Sequence, residues 1–162
     1  MSESVTKNFN HLKIHTQYSI CEGAAKIDDL QEYSKTNKFK SLGLCDTANL
    51  CGALEFAEKI SKTGTQPIIG TQIYFKYGDT TGLVPLFALN EIGYKNIIDL
   101  SSSSYLKNDK LSEPHLEFKD LFINTEGVAI FSGTIFGLFG KLFDKGKFSD
   151  IQNLYNQIKK SF

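Results

Sequence analysis

Arginine is absent. All 18 basic residues are lysines, and 18 acidic residues balance them to a net charge of zero. Affinity for nucleic acid rests largely on neutralising phosphates, and recognition of bases and phosphates favours the forked guanidinium. A neutral chain without that fork is poorly built to grip DNA by itself. The lysines near the end (Lys141, Lys145, Lys147, then Lys159 and Lys160) read as solvated helix faces. Cysteine is scarce as well: Cys21, Cys45 and Cys51 are odd in number and show no CxxC spacing. That argues against a disulfide framework and against a zinc knuckle. The three are expected to be small buried apolar side chains, in keeping with a reducing cytosol. No apolar run approaches the roughly 18 residues of a membrane span, and the opening MSESVTKNFN is polar, unlike a signal peptide. A cytoplasmic protein is expected. GxxxxGK[ST], GxGxxG and GxSxG are all missing, which leaves nucleotide-phosphate cradles and serine hydrolysis unsupported.

What is present is enough for a core. Hydrophobic residues make up 41% of the 162, with 13 Phe and 7 Tyr, so disorder is not expected. The length fits one domain or a fragment of a larger one. Short apolar runs alternate with helical periodicity. Strands are read at His11–Thr16, Ser41–Asp46, Gln66–Phe75, Val84–Leu89 and Gly127–Ser132. Helices are read at Ile27–Asn37, Gly52–Thr63, Glu91–Tyr105 and Ser149–Ser161, with Gly64 closing the second. Gly78–Gly82 and the polar stretch Lys107–Glu113 are read as loops. Strand–helix alternation of this kind predicts an α/β fold with mostly parallel strands, as an open sheet or a (β/α) barrel.

In either architecture, reactive groups gather where strands end. The first strand ends at His15, the second at Asp46, and the third passes Gln72. Loops begin at those points and are polar anyway, so a plain structural reading stands beside the site reading. His11 and His15 lie on one strand face about 13 Å apart, too far to share a metal. His115, in a Pro-containing loop, is expected in solvent. Asp46-Thr47-Ala48-Asn49 can equally cap the helix that follows.

Phe9-Asn10-His11-Leu12-Lys13-Ile14-His15-Thr16-Gln17-Tyr18-Ser19 resembles the opening of the PHP domain found at the N-terminus of bacterial DNA polymerase III alpha subunits. Further blocks continue the resemblance in order: Glu22–Leu30, Gly43–Asp46, Asn49–Phe56, Pro67–Gly70 and Asn90–Ile97. It is strongest over residues 9–133, leaving 134–162 as a helical C-terminal segment of a single 1–162 PHP segment. The fold this implies is an incomplete, distorted (β/α) barrel of the PHP type.

PHP domains use His and carboxylate ligands around Zn, Mn or Mg ions to activate water and clamp phosphate oxygens. Here the resemblance places Lys13 at the first position of the His-x-His motif, Thr47 in the Asp-His motif, Gln72 at a Glu position and Leu83 at a His position. His15, Glu22 and Asp46 remain as ligand types. A protonated Lys has no lone pair to offer, and Lys13 is expected to pair with Asp46 or Glu22 in place of metal. No cofactor and no catalytic residue are therefore expected. The resemblance implies a structural and interaction role in DNA replication, with any polymerase label belonging to the full-length relative. The alternative is an active metal-dependent phosphoesterase or 3′–5′ exonuclease. The implied partners are the rest of the alpha subunit and the proofreading exonuclease subunit, with little or no DNA binding and no membrane. Self-association through exposed barrel edges is a further expectation of a truncated barrel.

Overall fold

The computed structural model describes residues 9–108 and 112–162. Part of the loop read at Lys107–Glu113 therefore lies outside the described residues, as does the start of the 1–162 segment. The chain forms two compact units, one running to Thr71 and the other from Gln72 onward.

The first unit contains β1 (His11–Ile14), α1 (Ile27–Asn37), β2 (Ser41–Thr47), α2 (Ala53–Ser61) and the opening half of β3 (Gln66–Tyr77). β1 and β2 pair in parallel, and β3 lies on the other side of β2. β2 is buried along nearly its whole length, the pattern of a strand covered on both faces. Ile27 and Ser34 are the buried positions of α1, and Ala53, Phe56 and Ile60 those of α2. They close over Phe39, Leu42 and Leu44 to make this unit's core. Lys38, in left-handed backbone at φ 52°, ends α1, and Gly64, at φ 79°, follows α2 as the sequence indicates.

The second unit holds the rest of β3, then β4 (Thr80–Ala88), α3 (Glu91–Leu106), β5 (Leu116–Glu117), β6 (Val128–Ile130), α4 (Leu138–Asp144) and α5 (Phe148–Ser161). β5 pairs β3 in parallel, while β4 pairs β6 antiparallel with Leu86 opposite Ile130. β4 also adjoins β3. The loop read at Gly78–Gly82 shrinks to a two-residue turn at Gly78–Asp79, a connection short enough to join only antiparallel neighbours. The α/β alternation thus holds, with β4 as the strand that reverses.

A buried Phe118 anchors the unit, its ring meeting the edges of Phe75, Tyr77, Phe122 and Phe139. Three of the lysines read as solvated helix faces also reach the β3–β4 turn. Lys147 pairs with Asp79 and Lys145 donates to Thr80 Oγ1 at 2.9 Å, while Lys141 donates to Thr81 O at 2.9 Å. The Lys147 hydrogen bond holds the Asp79 carboxyl well below the usual carboxylate range. No helix among the described residues is long and apolar enough to cross a membrane.

Candidate functional site

β2 carries Asp46 into the interior, where it is fully buried. A buried carboxylate needs donors or a cation, because bare burial of its charge is far too costly. Asp46 finds three neutral donors, all from the segment that follows β1. The Thr16 N–H and the Ser19 hydroxyl donate to Oδ1, both at 2.6 Å, and the Thr16 hydroxyl donates to Oδ2 at 2.7 Å. Its own carbonyl accepts from the Thr71 hydroxyl at 2.7 Å. The two hydroxyls work in both directions: Thr16 Oγ1 accepts the Tyr18 N–H at 3.2 Å and Ser19 Oγ accepts the Thr47 N–H at 3.1 Å. Thr47 in turn donates its hydroxyl to Glu22 Oε2. Glu22, Asp46 and Thr47 are therefore linked through Ser19 and the Thr47 hydroxyl, and His15 precedes Thr16 in the chain.

Lys13 departs from expectation. It makes no ion pair with Asp46 or Glu22, whose partners are Thr16, Ser19 and Thr47. The pleat explains this: β1 alternates exposed and half-buried positions, and Lys13 falls on the exposed side. His15 is half-buried just past β1, and its buried Nδ1 has no hydrogen-bond partner among the described residues. In the second unit, Gln72 is buried in β3 and Leu83 is half-buried in β4, bridged to Gly137. Among the described residues no three of His, Cys, Asp and Glu group as metal ligands.

Other expectations are corrected. Asp46 does not cap α2, whose N-cap is Gly52; Asn49 instead closes a local turn by accepting the Cys51 N–H at 3.0 Å. Only Cys45 of the three cysteines is buried, since Cys21 and Cys51 sit in the exposed connections after β1 and β2. Burial pushes the Cys45 thiol up to about 12. His115 is half-buried, its Nδ1 2.8 Å from Glu113 O. His11 is exposed and stacks edge-on with Phe9 and Phe39. Sequence reasoning missed Thr16 and Ser19, the residues that own Asp46; their only signal was two hydroxyls three apart after a strand.

A second polar chain ties the same segment to the helices. The Tyr18 hydroxyl donates to Glu55 Oε2 at 2.9 Å, and Lys59 bridges Glu55, at 2.7 Å, and Asp28. The Lys59 and Tyr18 hydrogen bonds hold Glu55 below its ordinary range, and the Glu55 carboxylate in turn raises Tyr18. In the second unit, a groove of about 1340 Å³ opens between the segment after β6 and the helices α4 and α5. Phe131, Ile135, Phe136 and Phe143 line it, and Ile135 and Phe136 are each 75% exposed.

Residues 11–162 match the family model described as PHP domain. The chain is 35% identical over 98% of its length to the DNA polymerase III subunit alpha of Borreliella burgdorferi. It is 40% identical over 74% of its length to that of Rickettsia conorii. It spans 15% and 10% of those relatives respectively. Among solved structures, an amidohydrolase from Chromobacterium violaceum aligns with a TM-score of 0.45 and 15% identity, covering 58% of this chain and 34% of that one.

Proposed function

The chain belongs to the PHP domain family, and on that premise we propose that it is the PHP portion of a DNA polymerase III alpha subunit, serving replication through protein–protein contact and not through hydrolysis. The observation that carries the contact role is the apolar groove of the second unit. Large apolar side chains standing in water along a groove rimmed by polar residues are a feature of interaction sites, and Ile135 and Phe136 are largely exposed there. The partners this reading names are the remainder of the alpha subunit and the proofreading exonuclease subunit, within a larger polymerase complex.

The metals of intact PHP sites do not fit the residues at the β2 strand end. A cation needs lone pairs, and three of the roughly four acceptor sites of Asp46 are already filled by Thr16 and Ser19. Thr47, Gln72 and Leu83 replace ligand types with a hydroxyl, a neutral amide and a hydrocarbon. The competing reading, an active phosphoesterase or 3′–5′ exonuclease, draws on His15, Glu22 and Asp46 as surviving ligand types.

Titration of the chain against the separately purified exonuclease subunit and against the remainder of the alpha subunit is the direct test. Saturable binding to at least one is expected, weakened about tenfold or more by Phe136→Asp, as for loss of a central aromatic anchor. Binding to neither, together with stoichiometric Mn²⁺ or Zn²⁺ and phosphodiester hydrolysis abolished by Asp46→Ala, would sink the proposal in favour of the enzyme.

A further inference from the structure

We infer that residues 16–25 form a strap that Asp46 latches shut through the hydroxyls of Thr16 and Ser19, so that hydrogen bonds hold this strand end where a cation would otherwise join the acidic groups. This deepens the reading of the site as metal-free and rests on it.

The strap is a compact loop whose ends meet: Thr16 bridges Ala25 in parallel, and the Gln17 N–H donates to Ala25 O at 2.9 Å. Inside it, the Ser19 N–H donates to Thr16 O, and the Glu22 and Gly23 N–H groups donate to Ser19 O. Gly23 is required by the closure, since a Cβ there would lie 2.1 Å from Thr16 O. The latch itself comes from β2. Each hydroxyl has its proton committed to Asp46 and its lone pair to an N–H, Thr16 to Tyr18 and Ser19 to Thr47. Replacing Thr16 by an apolar residue orphans Asp46 Oδ2 and the Tyr18 N–H, and replacing Ser19 removes one of the two donors to Asp46 Oδ1 and orphans the Thr47 N–H.

Two outer ties complete it. Asn49 Nδ2 donates to Tyr18 O at 3.0 Å, and Thr47 donates to Glu22. The backbone carries the strain such over-determination sustains. Cys21 in the strap and Ala48 just after Asp46 both stand in left-handed backbone, at φ 65° and 54°, which non-glycine residues keep only where their surroundings impose it. A metal-bridged strap would be loosened by chelation. A hydroxyl-latched one has every donor in the chain itself, so its closure is indifferent to metal and sensitive to single hydroxyls.

Amide hydrogen exchange by NMR on the 162-residue chain tests this, with and without EDTA and with added Zn²⁺. The amides of Thr16, Tyr18 and Thr47 are expected to be protected equally in all three conditions. Ser19→Ala is expected to speed exchange at Thr47, and Thr16→Val at Tyr18, each by about tenfold. Thr16→Ser, which keeps the hydroxyl, is expected to retain protection. Should Thr16→Val fail to fold, Thr47→Val removes the hydroxyl that donates to Glu22 and is expected to speed exchange at Glu22 and Gly23. Unchanged exchange in Ser19→Ala and Thr47→Val overturns the latch, as does protection lost on chelation. Zinc binding with exchange still governed by the hydroxyls would leave the latch standing and overturn the metal-free reading alone.

Discussion

Asp46 is fully buried, and its charge is held by neutral donors and not by a cation. A carboxylate at a strand end invites a cation, and the resemblance offered Lys13 as one. The structure gives Asp46 to Thr16 and Ser19, a choice invisible beforehand because it depends on a contact thirty residues away and on hydroxyls that any loop contains. The cysteines show the same limit, since burial is a tertiary property and only Cys45 lies in a strand buried on both faces. That distinction has a measurable consequence. Thiolate is the reactive form, and Cys45 combines burial with a thiol pushed up to about 12. Titration of the native chain with a thiol reagent near pH 8 is expected to count two reactive groups, Cys21 and Cys51, and three after unfolding. Three fast thiols in the native state would show that β2 opens far more readily than its burial indicates.

Elements were more legible than contacts where periodicity was long. α1 falls on the residues read from its spacing, and α3 and α5 differ at their ends by a residue. β5, two residues long, and the short helical turn Phe118–Phe122 carry too few side chains to show a period. α4 was missed because Gly140 interrupts a seven-residue helix. β4 began earlier than read because Thr80, Thr81 and Gly82 look like a loop, whereas pairing with neighbours draws them into a strand. Close approach and capping give this scale its test. Gly43 on β2 sits where a Cβ would come 2.5 Å from Leu12 O on β1. Asn90 caps α3 by accepting the Gly93 N–H at 2.9 Å. Gly43→Ala is expected to cost about 1–3 kcal/mol through backbone overpacking, and Asn90→Ala about 1 kcal/mol through loss of the cap. Urea unfolding of the two variants checks both values, and a neutral Gly43→Ala would mean that β1 yields at little cost.

For the molecule as a whole, charge is the property that sequence alone decides, because a count of lysines does not depend on folding. Eighteen lysines against eighteen acids leave no net positive field, and several of those lysines are already engaged. Lys59 serves Asp28 and Glu55, Lys107 pairs with Asp120, and Lys145 and Lys147 hold Asp79. Each pair removes a cation that would otherwise displace counterions from a phosphate backbone, the step from which non-specific affinity for DNA derives. The remaining lysines lack the bidentate fork that arginine brings to phosphates. Binding of single-stranded DNA at physiological salt is therefore expected to fall short even of ordinary non-specific affinity. Anisotropy of a labelled oligonucleotide should show no saturation up to about 100 µM chain. Lowering the salt to about 20 mM is expected to recover only weak binding with a shallow salt dependence, because the lysines outside those pairs are offset by the acidic residues around them. A steep salt dependence with micromolar affinity would mean that the lysines act together as a patch, and would place DNA contact on this chain.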